Sequence, residues 1–396
     1  MSSPIELERP AMQPDSVIYL DAAATTPCAD EVIKEMVKFN NINYGNPSSA
    51  HILGRLARSA VFESASHISE LLGCTPAEIV FTSGATESNN IAILGSATNA
   101  RSNIIICPID HKSSLLAAEE LEKRNIEIRR MKIDSDGRVN LTHLNSLLDE
   151  NTSLLSISYV NSEIGTFQNL PEIKKALENS NALFHIDAAQ ALGKLPINVK
   201  KLGVDCASIS AHKIEGPKGI GALYVSSSSF SRLRPLTFGG GQSSLRSGTL
   251  PTQLIAGFGA AARRLKNKDY PASWSAAKQL RNAILETLNR HDIAFLINSP
   301  DAVSTPHILN ISILGMRSET LISCLRNVCI SSGSACNSNN LSPSYVITGI
   351  GHNAMRANSA IRLSFTSDMD IKTVRAGAES LSQKVLQLIH LNHRGE

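Results

Sequence analysis

Short apolar runs rich in β-branched residues alternate with helix-length amphipathic stretches from about residue 55 to about residue 260. Six of these runs read as fully buried strands, at 78–82, 103–107, 154–158, 183–187, 206–210 and 222–225, and segments such as 113–124 between them read as helices. A strand flanked by crossover helices is buried on both faces, so the alternation predicts a mainly parallel sheet covered on both sides. Ligands of such sheets gather at the carboxyl ends of the strands. After about residue 265 the pattern changes. A long helix over 274–289 leads into strand-like runs at 293–297 and 307–311. The chain then closes with a helix beginning after Asp368 or Asp370, with Ile371, Val374, Ala378, Leu381, Val385 and Ile389 at helical spacing. The expected organisation is a flexible lead-in over 1–15, a large α/β domain over 16–265 and a smaller α+β domain over 266–396. A loop of small residues at 331–344 lies within the second domain.

Composition narrows the class of protein. With 396 residues the chain is too long for one small core, and 42% hydrophobic with 18% charged residues fits an ordinary globular enzyme. A formal charge of +3 argues for neither direct nucleic-acid binding nor a membrane partner. No apolar run approaches the roughly 20 residues needed to cross a bilayer. The polar, proline-broken start reads as neither signal nor transit peptide, so a reducing, cytoplasmic setting is expected. The seven cysteines form no CxxC pair, which speaks against a disulfide framework. Cys74, Cys107, Cys206, Cys324 and Cys329 sit beside apolar runs and read as inert, whereas Cys336 sits among Ser, Gly and Asn.

Three strand ends carry candidate chemistry. Thr82-Ser83-Gly84-Ala85-Thr86-Glu87-Ser88 follows a strand and opens a helix, a place where free backbone N–H groups can cradle a phosphate or simply form a capped turn. Asp187 closes a run of apolar residues, with Gln190 three positions on. A carboxylate there needs a cationic partner, which could be a protonated pyridine nitrogen, a structural ion pair or a helix N-terminus. His185 two residues earlier raises the thought of a metal, but none is expected. Ser210-Ala211-His212-Lys213 ends another strand and places a lysine that could serve as an amine nucleophile or stay solvated. An anion cradle, a buried acid and a poised lysine together are what a pyridoxal-phosphate site requires.

Read with their neighbours, these segments resemble the pyridoxal-phosphate-dependent cysteine desulfurases, a class V branch of the fold-type I aminotransferase superfamily. The matching segments run from Ile18-Tyr19-Leu20-Asp21 and Gly45-Asn46-Pro47 through Asp110-His111-Lys112 and Asn161-Ser162-Glu163-Ile164-Gly165. They continue through Asp187-Ala188-Ala189-Gln190, Arg246-Ser247-Gly248-Thr249, Ser331-Ser332-Gly333-Ser334-Ala335-Cys336 and Ile361-Arg362-Leu363-Ser364. The resemblance implies a fold-type I transferase with pyridoxal 5'-phosphate held covalently by Lys213, which would also move the Cα proton. Asp187 would pair with the ring nitrogen, Gln190 with the ring hydroxyl, and His111 would stack on the ring. Ala85, Thr86, Ser210 and His212 would take the phosphate, with Thr249 reaching in from the second subunit of a homodimer. Asn161 and Arg362 would hold the substrate carboxylate. Cys336 would take sulfur from L-cysteine as a persulfide, releasing alanine.

The long cysteine loop resembles the branch that serves iron–sulfur assembly and RNA thiolation. Glu215 replaces that branch's usual aromatic residue, and Gly239 to Leu245 lacks its usual Glu-Arg pair. The acceptor could be an iron–sulfur scaffold, a tRNA-thiolating enzyme or a DNA-phosphorothioation protein. Selenocysteine lyase, a general aminotransferase or carbon–carbon lyase, and a non-catalytic binding platform are the competing functions.

Overall fold

In the computed structural model, which describes residues 17–97, 102–333 and 342–394, the apolar runs pair into a seven-stranded sheet. Its spatial order is Ile79–Thr82, Gly221–Val225, Cys206–Ser210, Leu183–Asp187, Thr152–Ser158, Asn103–Ile106 and Glu127–Arg130. Gly221–Val225 runs antiparallel to both neighbours, and the other pairings are parallel. Thr82, Ile106, Ser158, Asp187 and Ser210 therefore all finish at one edge. The lead-in expected over 1–15 and Cys336 both lie outside the described residues.

The two faces of this sheet differ in chemistry. Ile157, Ile186 and Ile209 point into the larger apolar core, while Leu154, Leu183 and Cys206 join a second core on the opposite face. Helices Ala85–Ser96 and Lys112–Lys123 cover that second face through Ile91, Ile93, Ala117 and Leu121. Side chains two apart on a strand share a face. Ser156 and Ser158, His185 and Asp187, and Ser208 and Ser210 thus form a polar layer beneath those helices, at the strands' carboxyl ends. His185 is fully buried within it, one ring nitrogen 2.8 Å from Ser156 Oγ and the other 2.9 Å from Ser208 Oγ. His185 and Asp187 do share a face, but both imidazole nitrogens are committed to these serines.

Several boundaries depart from the sequence reading for local reasons. The first strand begins at Ile79 because Glu78 ends a short 3-10 turn, where its carboxylate accepts the Thr75 N–H at 3.0 Å. Glu127–Arg130 is an additional edge strand that hydrophobicity does not reveal. Its charges serve ion pairs, Arg129 with Glu127 and Arg130 with Glu122, and charged side chains are what an open sheet edge tolerates. The run at 293–297 yields only Leu296–Ile297, since Ile293 donates its N–H to Leu288 O and so closes the preceding helix, Tyr270–Arg290. The last helix, Ile371–Arg394, starts where Asp370 accepts the Thr373 N–H at 3.0 Å.

A four-stranded sheet, ordered Ser331–Ser332, Ala360–Ser364, Ile308–Ser312 and Leu296–Ile297, carries its own core against Tyr270–Arg290 and Ile371–Arg394. The chain's start belongs with it: Ile18–Tyr19 pairs in parallel with Val328–Cys329, and Leu20 is buried in this core. Asp21 is thereby carried to the junction between the two sheets, bridging to Ser364. Among the described residues no helix is long and apolar enough to cross a membrane.

Burial holds the His185 imidazole at about 4, below its ordinary 6.5. Between those values the unfolded chain binds a proton there and the folded chain does not, so stability falls as pH drops through the window. The slope is up to about 1.4 kcal/mol per pH unit. His185→Gln should show a shallower fall of Tm between pH 6.5 and 4 than the wild type in scanning calorimetry. An identical slope would remove His185 from the acid response.

Candidate active site

The carboxyl edge of the large sheet opens into a cavity of about 550 Å³. Lys213, His111, Asp187, Gln190, Ala85, Thr86, Ser210, His212 and Arg362 all line it, although they come from five separate stretches of chain. Thr249 and Asn161 do not. Thr249 is exposed on a separate loop. Asn161 spends its side chain on its own turn: Oδ1 accepts the N–H groups of Glu163 (2.9 Å) and Ile164 (3.0 Å), and Nδ2 donates to Ile109 O. Its neighbours Val160 and Ser162 line the cavity instead.

One wall is the start of helix Ala85–Ser96, whose first N–H groups receive no side-chain cap from Gly84. The cradle depends on a close approach. A Cβ on Gly221 would lie 2.5 Å from Ile209 O and 2.7 Å from Gly84 Cα, so glycine there lets the turn settle against the sheet. Glu87 braces the turn, accepting the Ser83 N–H at 2.5 Å and pairing with Arg246 at 3.0 Å. Ser210 and His212 complete the wall. Burial and the charges of Lys213 and Lys218 hold His212 at about 4, so its imidazole is neutral near pH 7. Helix-start N–H groups, hydroxyls and a neighbouring Lys218 make this wall suited to a dianionic phosphate.

Asp187 faces the cavity from the polar layer. Its Oδ1 accepts the Ala189 N–H at 2.9 Å and its Oδ2 accepts from Asn89 Nδ2 at 2.7 Å. The same amide reaches Ser113 Oγ at 2.8 Å, and that hydroxyl lies 2.8 Å from His111 Nδ1. Since Nδ1 also accepts the Ser113 N–H, the Nε2 side of His111 is left to carry the proton of a neutral ring. Asn89 and Ser113 were not anticipated from sequence; the only signal is a polar residue on the buried face of an otherwise apolar helix. Asp110 is another. It takes the Ser158 N–H on both carboxylate oxygens at 3.0 Å, and burial with the nearby Asp187 charge raises it to about 7.

Lys213 closes a 3-10 turn after strand Cys206–Ser210, and its Nζ donates to the carbonyls of Ala23 (2.6 Å) and Ala24 (2.7 Å). Gln190 Nε2 donates to the same Ala23 carbonyl at 2.7 Å. Arg362 lies opposite. Its Nη2 bonds Asp21 Oδ1 at 2.8 Å and its Nη1 bonds Ser162 O at 2.9 Å, while its buried Nε has no partner. A guanidinium so fixed, with a donor unspent, suits a carboxylate.

Residues 18–376 match the family model of the class-V aminotransferases. The chain belongs to that family. Like other class-V members it has the fold-type I architecture, with a mainly parallel sheet flanked by helices. The cysteine desulfurase IscS of Buchnera aphidicola is 42% identical over 364 residues, covering 89% of this chain and 90% of its own length. A solved structure named a NifS-like protein superposes with a TM-score of 0.87 at 32% identity, over 94% of this chain and 100% of that one. Another, described as SspA in complex with cysteine, has a TM-score of 0.78 at 35% identity, over 88% of this chain and 99% of that one.

The geometry around Asn89 makes a direct prediction for this class-V chain. Asn89→Ala leaves Asp187 Oδ2 and Ser113 Oγ short of a buried donor, which costs about 1–3 kcal/mol in total. Urea unfolding of the variant should show a lowered midpoint with an unchanged m-value. A midpoint equal to the wild type would mean water replaces the amide at no cost.

Proposed function

We propose that this protein is a cysteine desulfurase that uses pyridoxal 5'-phosphate and passes the sulfur of L-cysteine to its own Cys336. The cavity residues fit that cofactor. A buried carboxylate with no cation paired to it suits a ring nitrogen, the uncapped helix start with Thr86, Ser210 and His212 suits a phosphate, and Lys213 reaches the same space. When bound, the cofactor supplies an electron sink for the pair released at the substrate α-carbon.

The chain's own residues do the rest. Arg362, held by Asp21 and Ser162, orients the substrate carboxylate. Lys213 Nζ moves the proton at the α-carbon, and His111 Nε2 is the second proton-carrying group at the cavity. Asp187, fixed by Asn89 and the Ala189 N–H, keeps the ring nitrogen protonated. The Cys336 thiolate attacks the substrate sulfur: an S–S bond forms as the Cβ–S bond breaks, and the electron pair leaves with the carbon fragment, which is protonated to alanine.

The observation that carries the sulfur step is the register of the small sheet. Ser331 pairs directly opposite Arg362, and Ser331 Oγ donates to Asp21 Oδ2 at 2.8 Å. Ser331 thus stands beside the arginine that lines the cavity, five positions before Cys336 in the sequence. Among the described cysteines none lines the cavity. The relatives named cysteine desulfurase, and the neighbour bearing cysteine in its printed description, support the same reaction.

A homodimer is part of this reading. Phe238 (85% exposed) and Tyr44 (69% exposed) are large apolar side chains left open to solvent. Thr249 follows Phe238 in an exposed loop and serves a second copy's phosphate site rather than its own. The sulfur leaves for an acceptor protein.

Single-turnover mixing with sulfur-labelled cysteine, followed by nonreducing mass mapping, tests the proposal. Label should appear on Cys336 alone with one alanine released. Cys336→Ala should keep the cofactor absorbance and lose at least about 100-fold in persulfide yield, in line with loss of an essential nucleophile. Alanine release without label on Cys336 would overturn the relay, and no alanine at all would overturn the desulfurase.

A further inference from the structure

Behind Lys213 lies a second cavity, of about 260 Å³, at the junction of the two sheets. It opens between the turn carrying Lys194, the end of the large domain's last helix at Arg264 to Lys268, and the chain that follows strand Ala360–Ser364. Its polar lining is dominated by cations. Arg264 is neutralised by Glu215 at 2.8 Å. Lys213, which also lines this cavity, donates to the Ala23 and Ala24 carbonyls, and Lys194 and Lys268 remain, with the carboxylates of Asp368 and Glu215 acting on Lys268. Lys194 Nζ gives two of its three protons to Gln190, at the main-chain and side-chain oxygens, each at 3.1 Å. His307 is a third donor in this wall. It is 2% exposed, its Nδ1 lies 2.8 Å from Thr305 Oγ1, and its Nε2 has no partner.

We propose that this cavity is a binding site for a small oxyanion, held between Lys194 and Lys268 with the unpartnered nitrogen of His307 as a further donor. Half-buried cations crowded together repel one another, and a buried nitrogen without a partner is costlier than one bonded to water. An oxyanion answers both deficits at once. The electrostatics agree: burial, then the neighbouring cations Lys213, Lys268 and Arg362, hold Lys194 down to about 7, and burial with Lys194 and Lys268 holds His307 at about 3. The volume has room for a sulfate, a phosphate or a short carboxylate, which share anionic oxygen acceptors. Occupancy is also placed to be felt at the first cavity. Lys194 is the residue that grips Gln190, and Gln190 lines the first cavity beside Lys213.

The test is calorimetric titration of the cofactor-loaded protein, in which the phosphate wall of the first cavity is already filled, with no cysteine present. Sodium sulfate, sodium phosphate and sodium acetate are titrated separately at ionic strength held constant with sodium chloride. At least one should bind one-to-one with a Kd near or below about 1 mM, and the ranking separates tetrahedral dianions from carboxylates. Lys268→Gln and His307→Asn, both outside the first cavity, should each weaken that binding at least about tenfold while keeping the wild-type Tm. No saturable heat with any of the three anions, or equal affinity in both folded variants, would overturn the proposal. The desulfurase reading can fail without touching this result, because Lys268 and His307 line only the second cavity.

Discussion

Everything at this site depends on burying one carboxylate, Asp187, beneath two helices. Removing a charge from water is expensive unless hydrogen bonds replace the solvent. The fold meets the demand with a layer rather than a single partner. Three adjacent strands end in polar–Ile–polar, Ser156-Ile157-Ser158, His185-Ile186-Asp187 and Ser208-Ile209-Ser210. The isoleucines face the larger core, while the polar pairs face helices Ala85–Ser96 and Lys112–Lys123. Those helices answer with Asn89 and Ser113. The same two helices begin at the phosphate-suited wall and at His111, so the element that solvates Asp187 also aims the groups around it.

The strand-end logic was legible in the sequence, and its finer grain was not. Apolar runs at 183–187 and 206–210 were read as buried on both faces, and so they are, but burial was equated with apolarity. The repeated polar–Ile–polar ending is a period-two signal hidden inside runs that look uniformly hydrophobic. Eight of the predicted residues converge on one cavity because the ends of parallel strands share an edge, a constraint topology imposes regardless of side-chain detail, and Arg362 joins them from the small sheet. Asn161 is expected as a substrate ligand, and its amide also organises the turn that presents Val160 and Ser162, a role that a short polar side chain after a strand gives no sign of in the sequence. Glu127–Arg130 escaped for the opposite reason, since an edge strand in an otherwise buried sheet carries charges.

Asp21 shows how the two sheets are made to act together. It follows a strand that pairs within the small sheet, and its carboxylate is divided between Arg362 Nη2 and the Ser331 hydroxyl, both at 2.8 Å. Arg362 and Ser331 also face one another across adjacent strands. A carboxylate shared between a guanidinium and a hydroxyl ties the two to one another. Ser331 stands at the root of the segment that carries Cys336. Arg362 and the strand that precedes the Cys336 segment are thus joined through one half-buried acid and two hydrogen bonds. Holding the arginine by Asp21 and Ser162 fixes its guanidinium at the cavity wall before any ligand arrives, which lowers the ordering cost of binding.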